Sequence, residues 1–394
     1  MLFSLALILI CGFAMGGIMQ KFRLPPLLGM IVTGIVLGPH VLNLIDGEIL
    51  NISTDLREIA LVVILTRAGL ALDIKDLKKV GRPAILMCFV PATFELIAIT
   101  LLAPVFFDIT TLEAAMMGAV LAAVSPAVVV PRMLKLMESG YGKKYSIPQL
   151  IMAGASVDDI YVVVLFTSFM GMYQGKGFDM ASLINIPVSI VLGLILGIAS
   201  GLVCVFIFRK IHIRDTVKIM LLLSMAFMFV SLENAVKNQV PVSGLLAVMA
   251  LGGTILKQYE PLAKRLSGKY AKIWVGAELL LFVLVGAAVD VRFIGNAGVS
   301  AVALIFIALL FRMTGVFICL LKTKLNMKER LFSAVAYLPK ATVQAAIGGI
   351  PLSMGVTGGS IILAVAVLAI MITAPLGAIG TDILYKKLLT KDKD

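Results

Sequence analysis

Histidine is nearly missing from this chain. Its two copies, His40 and His212, stand in separate loops, which excludes a histidine-built zinc or haem site. Cysteine is scarce as well. Cys11, Cys88, Cys204 and Cys319 all fall in apolar runs and read as small hydrophobes, so neither a disulfide framework nor a thiolate metal site is expected. No Walker or dinucleotide fingerprint appears, so neither ATP drive nor a nucleotide partner is expected within the chain. Charged residues make up only 14% of the sequence. No cofactor is expected, and nothing in these motifs reads as an enzyme.

Apolar residues fill the space that charge leaves. They account for 60% of the 394 residues, and mean hydropathy is +1.07. A soluble globule of this size cannot hide that much apolar surface. Runs of about 18 to 25 apolar residues recur along the whole length, each enough to cross about 30 Å of hydrocarbon. The sequence predicts an all-α polytopic membrane protein with the lipid bilayer as solvent. We place thirteen spans at 2–19, 27–42, 59–73, 83–104, 112–131, 149–173, 186–208, 217–232, 242–256, 273–291, 297–321, 331–351 and 358–385. The run Leu2 to Met19 lacks the basic start and small-residue cleavage site of a signal peptide, so it is kept as a span.

The formal charge of +12 is a topology signal, not the mark of a nucleic-acid partner. Loops after odd-numbered spans and the C-terminal tail hold 27 of the 34 Lys and Arg, counting Lys218 at a span margin. Loops after even-numbered spans hold Arg57, Lys176, Lys237 and Arg292. The positive-inside rule then sets the N-terminus outside and the C-terminus in the cytoplasm of a cell membrane. Three cations, Arg67, Arg312 and Lys340, lie within spans; Arg67 is near enough to a span end to snorkel.

An internal repeat organises the chain. LGMIVTGIVLG (Leu28–Gly38) resembles SGLLAVMALGG (Ser243–Gly253), an offset of 215. Gly69-Leu70-Ala71-Leu72-Asp73 resembles Gly286-Ala287-Ala288-Val289-Asp290, an offset of 217. Repeat 1 runs over about 27–173 and repeat 2 over about 242–385, within a single membrane domain, 1–394. The copies start at spans 2 and 9, an odd separation that inverts one relative to the other. Inverted repeats are the usual frame of alternating-access transporters, which bind near the midplane at broken helices. Such breaks are predicted at Ser125-Pro126 in span 5 and Pro339-Lys340 in span 12, where proline removes a donor and extends the preceding residue. Backbone freed in this way survives at membrane depth only inside protein or beside a wet cavity. Gly193, Gly197 and Gly201 form two overlapping GxxxG steps for close helix contact, within the chain or at a dimer seam.

Five ionisable residues are predicted near mid-bilayer: Glu95, Asp158, Asp159, Arg312 and Lys340. Groups at that depth are functional by default. The adjacent pair Asp158-Asp159 is the sharpest signal. Two neighbouring carboxylates in low dielectric cannot both stay ionised cheaply, so they take up protons or a small hard cation, and the two ligands compete for the same oxygens. Glu95 plus 217 is residue 312, so Glu95 and Arg312 occupy repeat-related positions and are expected to form a structural ion pair, leaving Lys340 to pair with Asp158. Arg312 facing Asp158 is the alternative. Ser125, Thr342 and Gln344 are possible cation ligands at the helix crossing, and Glu278 is either a pH-sensing group or a solvated helix end.

Arg23-Leu24-Pro25-Pro26-Leu27-Leu28-Gly29, Thr33-Gly34-Ile35-Val36-Leu37-Gly38-Pro39, Arg67-Ala68-Gly69-Leu70, Ser125-Pro126-Ala127-Val128-Val129-Val130-Pro131, the double aspartate and Pro339-Lys340-Ala341-Thr342-Val343-Gln344 follow one another in a fixed order. Together they resemble the sodium/hydrogen exchanger membrane domain, in the monovalent cation:proton antiporter family, and most of all its electrogenic two-aspartate branch. The resemblance implies a homodimer of two-lobed protomers. It also implies a mobile core of about 83–173 and 297–385 and a scaffold of about 2–73 and 186–291. Asp159 becomes the principal cation and proton carrier and Asp158 the second carboxylate. The implied activity is exchange of sodium or lithium for protons, two protons per cation, with Lys340 releasing one of them. Potassium/proton exchange, or a channel-like or signalling protein on the same fold, is the alternative.

Overall fold

The computed structural model describes residues 1–22, 24–71, 81–176, 180–236 and 242–391. Among them the chain is helical throughout, and its one β-type pairing is the isolated bridge between Tyr141 and Lys391. In order, the helices are α1 Leu2–Lys21, α2 Pro26–Leu37, α3 Gly47–Asn51, α4 Ser53–Ala71, α5 Arg82–Met87, α6 Val90–Phe106, α7 Thr111–Ala122, α8 Pro126–Glu138 and α9 Ile147–Gly171. Then come α10 Met180–Lys210, α11 Asp215–Val236, α12 Gly244–Gln258, α13 Glu260–Ala287, α14 Val291–Cys319, α15 Met327–Ala336, α16 Thr342–Ile347, α17 Ile350–Ser353 and α18 Gly359–Leu388. Among the described residues, eight helical segments are long and apolar enough to cross a bilayer, and α2, α7 and α12 are shorter apolar helices. The predicted span 5 appears as α7 and α8, broken at Pro126, and the predicted span 12 as α15, α16 and the first residues of α17, broken at Pro339.

The chain forms two compact units. The larger comprises Met1–Arg57, Lys75–Phe169 and Leu279–Asp394; the smaller comprises Glu58–Ile74 and Met170–Glu278. In the larger unit, α6 packs on α7 and α14, and α15 on α18. Its core joins Met87, Met133, Ile151, Phe332 and Tyr337. In the smaller unit, α10 lies along α12. The glycine stripe explains how close they come. A Cβ at Gly197 would collide with the Ala247 carbonyl, and Gly193 and Gly201 face Ser243 and Thr254 in the same way. This stripe is therefore used inside the chain. The four cysteines are free, three of them buried.

Candidate ion-exchange site

Two interrupted helices meet in the larger unit. The first run is α7, an extended stretch at 123–125, and α8; Pro126 opens α8, and Ser125 before it takes β geometry (φ −86°, ψ 111°). The second run is α15, the stretch 337–341 around Pro339, and α16. The stretches touch through their backbones, with Ser125 N donating to Pro339 O at 2.8 Å. Each run also begins alike: Thr110 and Glu113 form a capping box on α7, and Asn326 and Glu329 form one on α15.

Two of the protein's own cations and one side-chain amide satisfy the carbonyls freed at the first break. Lys340 Nζ donates to Leu121 O, Arg312 Nη1 to Ala122 O, and Gln344 Nε2 to Ala123 O at 2.9 Å. Arg312, on α14, spreads the rest of its fork over three elements. Nη1 reaches Glu95 Oε2 on α6 at 2.8 Å, Nη2 reaches Asp158 Oδ2 on α9 at 2.8 Å, and Nε reaches Tyr337 O at 2.8 Å. Its guanidinium also lies 5.0 Å over the Tyr337 ring. Lys340 Nζ sits 2.8 Å from Glu95. Glu95, Asp158, Arg312 and Lys340 are all 0% exposed, and Asp159 is 8% exposed.

The structure thus brings together Glu95, Asp158, Arg312 and Lys340, with a pairing that differs from expectation. Arg312 holds Glu95 as expected but also Asp158, and Lys340 meets Glu95 instead of Asp158. The reason is reach. A guanidinium presents five donors in a planar fork and serves two carboxylates at once, whereas Lys340 is drawn to the nearest freed carbonyl and its neighbouring acid. Ser125, Thr342 and Gln344 sit on the two breaks. Ser125 Oγ, Thr342 Oγ1, Gln344 Oε1, Asp158 Oδ1 and Asp159 Oδ1 are buried with no hydrogen-bond partner among the described residues. Buried oxygens without donors are acceptors for a proton or a hard cation. Glu278 lies inside α13, hydrogen-bonded to Trp274 with Arg67 nearby, and so is not at a solvated helix end.

Two features of the site go beyond the expectations drawn from the sequence. The capping boxes are signalled by the spacing Thr-x-x-Glu and Asn-x-x-Glu before apolar runs. Tyr337, whose hydroxyl donates to Met87 O at 2.9 Å, has no sequence signal beyond its neighbourhood to Pro339.

A buried ionic cluster at crossed, interrupted helices of an apolar bundle is the architecture of an ion-translocating membrane protein. The family described as sodium/hydrogen exchanger, transmembrane, matches residues 5–387, and the chain belongs to it. It is therefore a multi-pass integral membrane protein of a cation:proton antiporter family, acting on monovalent cations. Among its relatives, sodium/hydrogen exchanger 9B2 of Mus musculus is 33% identical over 385 residues, covering 94% of this chain and 69% of that protein. Sodium/hydrogen exchanger 9B1 of Homo sapiens is 32% identical over 425 residues, covering 100% of this chain and 79% of that protein. The solved sodium proton antiporter MjNhaP1 from Methanocaldococcus jannaschii superposes with a TM-score of 0.86 over 98% of this chain and 97% of that one, at 19% identity, a likeness of fold.

Proposed function

We propose that this chain exchanges sodium or lithium for protons by alternating access at Asp158 and Asp159, with Asp159 as the carrier. The observation that carries this reading is a charge count. The buried cluster holds three carboxylates, Glu95, Asp158 and Asp159, against two cations, Arg312 and Lys340. With all five ionised, one negative charge is left over. Either one monovalent cation or one proton cancels it, and a carrier crosses low dielectric most readily when neutral. Arg312 and Lys340 already occupy Asp158 Oδ2 and Glu95, so Asp159 is the group free to exchange its ligand.

This count favours one proton per cation over the two expected from the sequence. The two-proton scheme required Lys340 to face Asp158 and give up a proton as sodium arrives. The contacts support a different assignment: Arg312, which keeps its proton throughout the physiological range, faces Asp158, and Lys340 stays with Glu95.

The inverted repeat belongs to the same proposal, with copies over about 27–173 and 242–385. Matching contacts support it. Gly69 packs on the Met249 carbonyl and Gly286 packs on the Ile31 carbonyl, contacts whose members are related by offsets of 217 and 218. The capping boxes add an offset of 216. The outside N-terminus, the cytoplasmic C-terminus, the homodimer, and a core of about 83–173 and 297–385 moving against a scaffold remain parts of the proposal.

The test is dequenching of a pH dye in proteoliposomes on adding sodium, lithium and potassium in turn. Sodium and lithium are expected to respond and Asp159→Asn to abolish the response. A response to potassium alone would replace the substrate, and no response to any of the three would remove the antiporter reading.

A further inference from the structure

The second break is held by a residue that none of these roles includes. Lys340 follows Pro339 in the extended stretch, so its backbone N–H has no helical carbonyl to bond. It donates instead to Thr373 Oγ1 on α18, at 3.0 Å. Thr373 is 0% exposed, and its side chain has no other hydrogen-bond partner among the described residues. Other threonines of the bundle behave differently. Thr33, Thr66, Thr100 and Thr254 each bond back to the carbonyl four residues earlier in their own helix, which is the default for a hydroxyl in a helix. One turn beyond Thr373, Gly377 packs on Pro339 so tightly that a Cβ there would enter the proline ring. Thr373 and Gly377 share one face of α18, and that face cradles Pro339 and Lys340.

The first break has a matching device. Val124 N donates to Asp158 Oδ2 on α9 at 3.1 Å. Val124 and Lys340 are 216 positions apart, and Asp158 and Thr373 are 215 apart. Asp158 and Thr373 are therefore counterparts in the two halves, one ionisable and the other not.

We infer that Thr373 is a positioning residue for ion exchange. It fixes the backbone from which Lys340 reaches Glu95 and Leu121, and so keeps the second break in one geometry throughout the cycle. A hydroxyl neither gains nor loses a proton at working pH, so this cap does not change with load. Asp158 caps the first break with a group whose second oxygen is open to ligand, so the first break is the one that responds. The inference rests on Lys340 belonging to the exchange site.

Thr373→Val keeps the shape and removes the acceptor, and Thr373→Ser keeps the acceptor. In proteoliposomes, Thr373→Val is expected to raise the half-saturating sodium concentration about tenfold, as one buried donor left unpaired implies, with Thr373→Ser within about twofold of the parent. The sodium-dependent thermal shift of purified protein, which needs no turnover, should change in parallel. In a Lys340→Gln background Thr373→Val should add nothing further, because the backbone it fixes no longer carries the ammonium. Equal losses in both backgrounds would show general helix packing and overturn the inference, as would parental behaviour of Thr373→Val. Should Thr373→Val fail to fold, Thr373→Ala is judged by the same comparison. A Lys340→Gln protein that binds and exchanges sodium like the parent would overturn the inference through its premise, leaving the role of Asp159 to its own test.

Discussion

Glu95 and Arg312, 217 residues apart, meet at 2.8 Å with neither side chain reaching solvent. Arg312 also holds Asp158 and two backbone carbonyls, so one guanidinium ties α6, α9 and both breaks together. Removing it leaves buried Asp158 without its cation and Glu95 with Lys340 alone. Arg312→Gln is expected to cost about 3–5 kcal/mol of stability, since breaking a buried pair exposes the full desolvation penalty of what remains. Arg312→Lys should recover only part of that loss, because an ammonium cannot span both acids. Thermal unfolding in detergent measures both. A charge exchange, Glu95→Arg with Arg312→Glu, should not rescue the fold, because it sets a carboxylate against Asp158 and a guanidinium against Lys340.

The two aspartates should separate by phenotype. Asp158 accepts from Arg312 and from Val124 N, and its loss is structural as well as functional. Asp158→Asn is expected to destabilise the protein by about 3 kcal/mol, the cost of stranding part of the Arg312 charge. Asp159 Oδ1 has no hydrogen-bond partner among the described residues, so Asp159→Asn should leave the melting temperature near that of the parent and abolish both exchange and the sodium-induced thermal shift. Equal destabilisation by the two substitutions would count against Asp159 as the carrier.

Much of this site is legible in the amino-acid sequence, for definite reasons. Asp158, Asp159, Glu95, Arg312 and Lys340 stand out because an ionisable group inside an apolar run has few physical excuses. Pro126 and Pro339 mark the breaks because proline cannot continue the ladder of hydrogen bonds. The partner of Lys340 is not legible in this way. Glu95 and Asp158 read alike in the sequence as buried acids, and the choice between them depends on where 337–341 leaves the helical path. Thr373 gives no signal at all, being one of several hydroxyls, with Ser360 and Thr381, in a long apolar helix. The capping boxes do give one, since Thr110 and Asn326 each precede a glutamate by three residues.

Helix contact in the smaller unit offers a test in which two glycines should behave oppositely. A Cβ at Gly197 would meet the Ala247 carbonyl, whereas one at Gly17 would meet nothing within 4 Å. Gly197→Ala is expected to destabilise by about 1–3 kcal/mol through overpacking. Gly17→Ala should be neutral or stabilise by up to about 1 kcal/mol, the helix propensity that glycine forfeits. Melting temperatures of the two variants, measured side by side, decide this. A loss of the same size at both positions would mean that α10 and α12 do not pack as closely as the geometry indicates.

The count of three carboxylates against two cations makes the strongest demand on transport. If Arg312 and Lys340 keep their protons through the cycle, the loaded site is neutral whether it holds sodium or a single proton. Exchange is then electroneutral, and a potassium-diffusion potential imposed across proteoliposomes should leave the equilibrium sodium ratio unchanged. Two protons per sodium would instead move one net charge per cycle. A potential of 100 mV would then contribute about 2.3 kcal/mol and shift that ratio roughly 50-fold. The separation between these outcomes is far larger than the error of a flux measurement. A potential-driven shift would mean that Lys340 releases its proton from beside Glu95 when the cation binds, and Lys340→Gln should then abolish the shift while exchange at Asp159 persists.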